Sequence, residues 1–403
     1  MKIIEGGICA AQGFKANGIH CGIRKNKSKR DLSLIYSDVK CSAAAVYTTN
    51  LVKGAPIAVT KQNIADGYAQ AVICNSGNAN TCNANGVEIA QQMCELVAEK
   101  LSVSASDVVV ASTGVIGEIL DITPIREGIP ALVEGLGDNS EYAAEGIMTT
   151  DTVKKEIAVS FEIDGKECRM GGIAKGSGMI HPNMATMLVF ITTDCAVAPE
   201  MLQKALSSDI QDTFNMTSVD GDTSTNDMVT ILANGKAGNT IIDKDDDNFK
   251  AFMKALNTVT VYLCRNIAAD GEGATKLVEC RVEGATSKEQ AKIAAKSVIC
   301  SSLVKAAMFG SDANWGRVLC ALGYGVKDLD PTKVDVSFKS AKGEIPVCVN
   351  GAGVPFSEEI AKEILLEKEI EILVSLGDGE YSATAWGCDL TYDYVRINGD
   401  YRT

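Results

Sequence analysis

The sequence predicts an α+β chain, a layered α/β sandwich with mixed sheets in two lobes, and three observations lead there. Helix-period and strand-period apolar patterns follow one another along the whole chain, without low-complexity segments or short-period repeats. Ile157, Val159, Phe161 and Ile163 alternate with Ala158, Ser160 and Glu162, meet the turn pair Asp164-Gly165, and the alternation resumes at Cys168 and Met170. That is the pattern of an antiparallel hairpin. The length of 403 residues exceeds the size at which one core usually keeps growing, so roughly two core-bearing units are expected.

In chain order, strands are expected at 71–75 and 107–111. Between them Ile89, Met93 and Leu96 recur at helical spacing, and Ala90 and Val97 widen the stripe. A helix near 122–135 precedes the hairpin. The hairpin opens into 171–194, GGIAKGSGMIHPNMATMLVFITTD. Here Gly171, Gly172, Gly176 and Gly178 give backbone freedom, Pro182 stiffens the chain, and Met187 to Ile191 reads as a strand buried on both faces. Helices follow near 199–213 and 247–267, and strands at 227–233 and 276–283. Ala291, Ala294, Ala295 and Val298 mark a further helix, opposed by Lys288, Lys292 and Lys296. Strands at 333–338 and 369–375 flank a helix at 357–367. The polar segments 236–248 and 326–332 are candidate linkers, and a division near Thr186 is equally defensible. The acidic run 243–247 lacks the glycine and terminal glutamate of a calcium loop and reads as a solvated face.

Composition removes whole classes of function. A net charge of −14 sets nucleic acid and anionic membrane surfaces aside as partners and favours a small-molecule enzyme. The opening MKIIEGGICAAQGF lacks the apolar centre of a secretory signal, and no run is long enough to span a membrane. A cytoplasmic location is therefore expected. The 14 cysteines are dispersed without a C-x-x-C pair and read as buried small hydrophobes. With only His20 and His181, no H-E-x-x-H or Cys2His2 site can form, so no metal is expected. Neither a G-x-x-x-x-G-K-[ST] phosphate loop nor a G-x-S-x-G elbow is present.

What remains is a series of small polar patches suited to loops on a rigid scaffold. They are NSGNAN (75–80), ASTGVIG (111–117), TTDT (149–152), VDGDTSTND (219–227), DGEGATK (270–276), GSDANWGR (310–317) and WGCDLTYDYV (386–395). ASTGVIG follows the apolar Val108 to Val110, so the Thr113 hydroxyl and a Gly114 backbone N–H emerge at a strand end, where they can converge on a developing oxyanion or simply make a turn. Lys175, inside the glycine segment, suits a substrate carboxylate or a proton transfer, or is a solvated loop lysine. Thr186 opens the buried strand and on spacing alone is a strand residue. As a nucleophile it would need a base, and with histidine so scarce the available base is its own α-amine, of ordinary pKa about 8. That amine exists only if the Ala185–Thr186 bond is cut. His181, five residues earlier, reads as a structural residue of the glycine turn.

The string AKGSGMIHPNMATML, with ASTGVIG, MTTDT, DGDTSTND, DGEGATK, DANWGR and the terminal GCDLTYDYVRINGDYRT, closely resembles the ornithine acetyltransferase family, also called glutamate N-acetyltransferase. The resemblance runs over essentially the whole chain, with the motifs in order. It implies the self-cleaving ornithine acetyltransferase and aminopeptidase-like type of fold. It also implies a precursor that cuts itself between Ala185 and Thr186 into an α chain, 1–185, and a β chain, 186–403, paired as an α2β2 heterotetramer. Thr186 would then take acetyl from N2-acetylornithine and pass it to glutamate by ping-pong exchange, giving ornithine and N-acetylglutamate in arginine biosynthesis.

Position by position, the resemblance places Thr113 and Gly114 in the oxyanion hole and Thr186 as nucleophile. It places Thr149, Lys175, Thr186, Glu272, Asn398 and Thr403 on substrate, with Thr150 and Thr152 hard to separate from Thr149. Lys175 suits the substrate α-carboxylate and Glu272 its amine. No cofactor is implied, although acetyl-CoA stays open as a further acetyl donor. Two competing readings remain: an N-terminal-threonine amidohydrolase or aminopeptidase, and a nonenzymatic ligand-binding protein.

Overall fold

The computed structural model describes residues 1–181 and 187–400. Nine strands form the first sheet: β1 (Lys2–Ile4), β2 (Phe14–Ile19), β3 (Leu32–Tyr47), β4 (Tyr68–Asn78), β5 (Val108–Val115), β6 (Lys155–Ile163), β7 (Lys166–Lys175), β8 (Leu188–Thr193) and β9 (Met228–Ala233). Their spatial order is β1-β6-β7-β8-β9-β3-β4-β5, with β2 added against β3. The expected hairpin is β6–β7, turned at Asp164 and Gly165, which have φ of 50° and 74°. Residues on both sides of position 185 build this sheet, because β8 and β9 lie between β7 and β3.

Every residue of β8 and of β9 is buried, as the unbroken apolar run predicts. Leu188 and Phe190 enter one core with Ala143, Ala144 and Ile147, whereas Val189 and Ile191 enter the other with Val259 and Leu263. Helix α1 (Ala55–Asn63) and α2 (Gly86–Leu101) pack on β5, α3 (Ile122–Glu134) packs against β2 and β3, and α4 (Ser140–Ile147) covers β2, β3 and β4. α5 (Pro199–Asp209) packs on β3 and β9. The long α6 (Asp247–Ala269), capped by Asp246 accepting the Asn248 and Phe249 N–H groups, is shared between layers. It packs on β6 and β7 on one side and on the second sheet on the other.

That second sheet has six strands: β10 (Leu277–Ala285), β11 (Asp335–Ser340), β12 (Gly343–Val349), β13 (Ala352–Gly353), β14 (Glu369–Ser375) and β15 (Tyr381–Cys388), in the order β13-β12-β11-β14-β10-β15. α7 (Lys288–Cys300) covers β10 and β15, with α8 (Ser302–Phe309) and α9 (Trp315–Gly325) stacked beside it. α10 (Glu358–Leu365) lies on β11 and β12, and α11 (Tyr392–Asp400) follows β15.

Two expectations shift. The helix expected over 199–213 stops at Asp209, because the Thr213 hydroxyl donates to the Asp209 carbonyl and carboxylate and closes a turn there. Lys288 and Lys292 do face outward, both reaching Asp212, but Lys296 is only partly exposed and burial pushes its ammonium pKa down. In 236–248, buried Ile242 exchanges backbone hydrogen bonds with Ala196 and Ala198, which docks that segment against the fold. No described helix is long and apolar enough to cross a membrane. All 14 cysteines are free, most of them buried.

Candidate active site

The parallel pair β4–β5 ends at a register irregularity around Gly77 and Asn78, a bulge that turns the strand ends toward a cleft. Gly114 sits there at φ 134°, and a Cβ on it would lie 2.3 Å from the Gly77 carbonyl carbon and 2.5 Å from the Asn78 nitrogen. Only glycine fits that passage of backbone past backbone. Thr113, one residue earlier, is nearly buried. Asn226 locks the wall behind it, its amide nitrogen donating to Ala79 O at 2.5 Å and Ser112 O at 2.9 Å.

The cleft holds about 150 Å3, room for a small amino-acid derivative. Thr113, Gly114, Thr149, Lys175, Glu272 and Asn398 all line it, so six predicted positions from five separate segments meet in one space. Ala185, Thr186 and Thr403 lie outside the described residues. Thr150 also lines the cleft, its hydroxyl 2.6 Å from the Ser177 hydroxyl, whereas Thr152 is turned to Asp270. Lys175 ends β7 with almost no exposure, and among the described residues its ammonium has no ion pair. Glu272 accepts from the Asn398 amide at 2.8 Å, and its backbone N–H donates to Ser177 O at 2.8 Å.

Behind Lys175 lies a buried charge cluster that sequence reasoning missed. The Asp151 carboxylate accepts Thr149 N–H at 3.0 Å, Gly176 N–H at 2.7 Å and the Lys155 ammonium at 2.8 Å. Lys155 also reaches Asp270 at 2.5 Å, and Asp270 accepts the Thr152 N–H at 3.0 Å. Burial alone would push the Asp151 carboxyl up, but Lys155, Lys175 and the Gly176 N–H together hold it below the usual carboxylate range. Three loops carrying Thr149, Lys175 and Glu272 are thereby fastened to one another. The signal lay in MTTDT, but nothing in the sequence pairs Asp151 with a partner so far along the chain.

The VDGDTSTND segment grips the residues leading to the Thr186 junction. Asp220 accepts the Met179 and Ile180 N–H groups at 2.6 and 2.9 Å, and the Thr223 hydroxyl donates to the His181 carbonyl at 2.8 Å. Asp227 lies just before β9, where Met228 N–H donates to Met187 O at 2.9 Å, so it is level with the first described residue after Thr186. Burial pushes the Asp227 carboxyl well above its usual range, with Ser224 and Lys175 offsetting only part. His181 has Nδ1 3.1 Å from the Ser218 hydroxyl, and burial with nearby Lys296 pushes it down to about 4. A neutral imidazole packed between Ser218 and Cys300 fits the structural role. Among the described residues no cluster of three or more His, Cys, Asp or Glu side chains is placed to hold a metal ion.

A model of the ArgJ family matches residues 15–403. A Clostridium acetobutylicum protein named arginine biosynthesis bifunctional protein ArgJ 1 is 51% identical over 392 residues, covering 97% of this chain and 96% of its own. A Caldanaerobacter subterraneus protein of the same name without the numeral is 50% identical over 405 residues, covering 100% of both. The crystal structure of arginine biosynthesis bifunctional protein ArgJ from Bacillus halodurans is 43% identical with a TM-score of 0.50, covering 53% of this chain and 98% of the solved one.

Proposed function

The chain belongs to the ArgJ family, and from that premise we propose that it moves an acetyl group from N2-acetylornithine to glutamate through an acetyl ester on Thr186. One observation carries the reading: Thr113, Gly114, Thr149, Lys175, Glu272 and Asn398 line a single cleft. A free Thr186 α-amine takes the hydroxyl proton as the oxygen attacks the acetyl carbonyl. The Thr113 hydroxyl and the Gly114 N–H donate to the oxyanion, which is the group whose charge grows toward the transition state. The C–N bond breaks, ornithine leaves carrying the proton, and the glutamate amine then attacks the ester and returns the proton to Thr186. Lys175, held beside Asp151, receives the α-carboxylate of either substrate, and Glu272 the side-chain amine of ornithine.

This chemistry needs cleavage between Ala185 and Thr186. The half-length match to the Bacillus halodurans chain, 53% of this one against 98% of that, is in keeping with a divided chain. An α2β2 assembly of the fragments is part of the same proposal, read by light scattering. On denaturing electrophoresis the purified protein is expected to give two fragments, with Thr186 at a new N-terminus, and Thr186→Ala to stay whole. Acetylornithine alone should leave acetyl on Thr186, detectable by mass spectrometry. An intact wild-type chain with full transfer activity would overturn the proposal. Acetate released at equal rates with and without glutamate would establish an amidohydrolase instead.

A further inference from the structure

The segments NSGNAN and DTSTND meet behind the oxyanion pair, and one side chain joins them there. Asn226 is almost fully buried, and all four hydrogen-bonding sites of its amide are used. Its oxygen accepts the Thr81 and Thr225 hydroxyls at 2.5 and 2.7 Å, and its nitrogen donates to Ala79 O and Ser112 O at 2.5 and 2.9 Å. Those two carbonyls can only accept, so the amide has a single orientation and an ionised carboxylate cannot replace it. A Cβ on Gly54 would lie 2.5 Å from the Asn226 nitrogen, so the side chain is pressed against bare backbone.

These bonds fall on either side of Thr113 and Gly114. Ser112 O belongs to the peptide that leads into Thr113, while Ala79, gripped at its carbonyl, donates its own N–H to Val115 O at 2.9 Å. The two residues are thus bracketed, with one link before them and one after. The Ser112 hydroxyl donates to Asn75 Oδ1 at 2.6 Å and the Asn75 amide to Asn78 O at 2.9 Å, which holds the β4 side of the same strand end. The backbone around Asn226 is itself fixed, since Gly54 N–H donates to Thr225 O at 2.9 Å and Thr48 N–H to Asp227 O at 3.1 Å. Two residues on, Met228 pairs with Leu188 in the parallel β8–β9 register. The Asn226 side chain therefore links the neighbour of the strand that follows Thr186 to the strand end that carries Thr113 and Gly114.

We propose that Asn226 is a positioning residue for the acetyl transfer, holding Thr113 and Gly114 where their donors meet the oxyanion formed at Thr186. The proposal rests on the acetyl-transfer reading and extends it from the donors to the group that aims them. In this role Asn226 forms no bond to substrate and acts through Ser112 and Ala79. In the divided chain that the reading requires, Thr113 and Gly114 belong to 1–185 and Asn226 to 186–403, so one fragment sets the oxyanion geometry of the other. Loosening the bracket costs the transition state more than the ground state, because the charge those donors meet grows only as the new bond forms.

The test compares wild type with Asn226→Asp, which keeps the shape and removes both donors, and with Thr81→Val, which removes one hydroxyl and leaves both donors in place. Turnover of acetylornithine and glutamate is measured per chain that takes up acetyl on Thr186, counted by mass spectrometry. Asn226→Asp is expected to lower kcat by about 10²–10³, and Thr81→Val by about two- to tenfold. KM for acetylornithine should stay within about twofold in both. In the infrared, the ester carbonyl of the acetyl-enzyme should absorb at higher frequency in Asn226→Asp, since misplaced donors polarise it less. Hydrogen exchange of the segment 111–118, read by mass spectrometry, should quicken in both variants. A lower Tm with kcat and the ester band unchanged would make Asn226 a residue of the fold alone and overturn the proposal, as would a loss of turnover carried by KM. If Asn226→Asp does not fold, Thr81→Val decides, and wild-type kcat in that variant would overturn the proposal. A wild type that transfers no acetyl would instead sink the transfer reading. Exchange at 111–118 then judges the bracket by itself, and equal exchange in wild type and variants would sink that too.

Discussion

The two sheets follow the same rules of strand pairing, and their lysine–carboxylate ion pairs sit in opposite surroundings. Around the first sheet, Asp151 and Lys155 are fully buried and Asp270 nearly so, and these groups fasten the substrate-binding loops. The second sheet turns an open face outward, where β11 and β14 alternate buried with part-exposed residues, and Lys339 meets Glu371 across that face at 2.9 Å. A desolvated ion cluster is expensive to form and more expensive to break, whereas an exposed pair is nearly neutral. The first sheet therefore holds the desolvated ion cluster that fastens the substrate-binding loops, and the second carries its Lys339–Glu371 pair on an open face.

The sharpest way to break this contrast is to remove one charge from each. Lys155→Met leaves Asp151 and Asp270 facing each other in the interior, and a loss of about 3–5 kcal/mol is expected. Thermal unfolding should show a large fall in Tm, together with loss of turnover as the Thr149 and Lys175 loops separate. Lys339→Met should barely move the midpoint. Comparable falls for the two would mean that the first-sheet cluster is as well hydrated as the second-sheet pair.

Glycine gives the next contrast. Gly114 and Gly343 have similar φ, 134° and 130°, but a Cβ at Gly114 strikes the β4 backbone while a Cβ at Gly343 meets nothing within 4 Å. Gly114→Ala is expected to lower kcat by about 10²–10³, the cost of misplacing one oxyanion donor. Gly343→Ala should carry only local backbone strain and leave kcat unchanged in the same assay.

The same asymmetry decided what could be read in advance. The β6–β7 hairpin was legible because alternation and Asp164-Gly165 agree, and α2 because Ile89, Met93 and Leu96 recur at helical spacing. The strand β3 was not, since its pairing with β4 breaks between Tyr36 and Cys41, and Ala43 to Ala45, good helix formers, become strand through pairing with β9. Thr113, Lys175 and Glu272 were legible from the glycine-rich and polar patches and the family resemblance together. Asp151 was not recognised, because its worth depends on Lys155, Lys175 and Asp270 closing around it, and tertiary pairing leaves no periodic trace. Asp227 was hidden for a related reason: only its burial beside the start of β8 and β9 distinguishes it from a turn aspartate.

Those two aspartates shift in opposite directions, which gives a pH test confined to the first sheet. Asp151 has its folded pKa below the unfolded value of about 3.9. Its stabilisation is therefore fully present above pH about 4 and is lost as pH falls toward the folded value. Asp227 has its folded pKa raised, so the native state holds a proton that the unfolded chain releases. Its contribution falls as pH rises from about 4 to the folded value, by about 1.4 kcal/mol per unit. Tm measured against pH should lose its acid-side slope in Asp151→Asn and its slope above pH 4 in Asp227→Asn. A slope above pH 4 that persists in Asp227→Asn would place that titration elsewhere.

The smallest effect tests a contact that the second sheet brings to the site. Glu272 precedes β10 and Asn398 follows β15, so both stand at the ends of that sheet rather than within it, joined by the 2.8 Å bond from the Asn398 amide to the Glu272 carboxylate. Asn398 is exposed, so removing its amide leaves no buried group unpaired and only frees Glu272 to move. One hydrogen bond of this kind contributes about 0.5–1.5 kcal/mol, which is about two- to tenfold in binding. Asn398→Ala should accordingly raise KM for acetylornithine within that range while kcat holds, because ground state and transition state lose the same contact. A matching drop in kcat would mean that Glu272 must be fixed for the chemical step itself, and the second sheet would then share in the chemistry that the contrast assigns to the first.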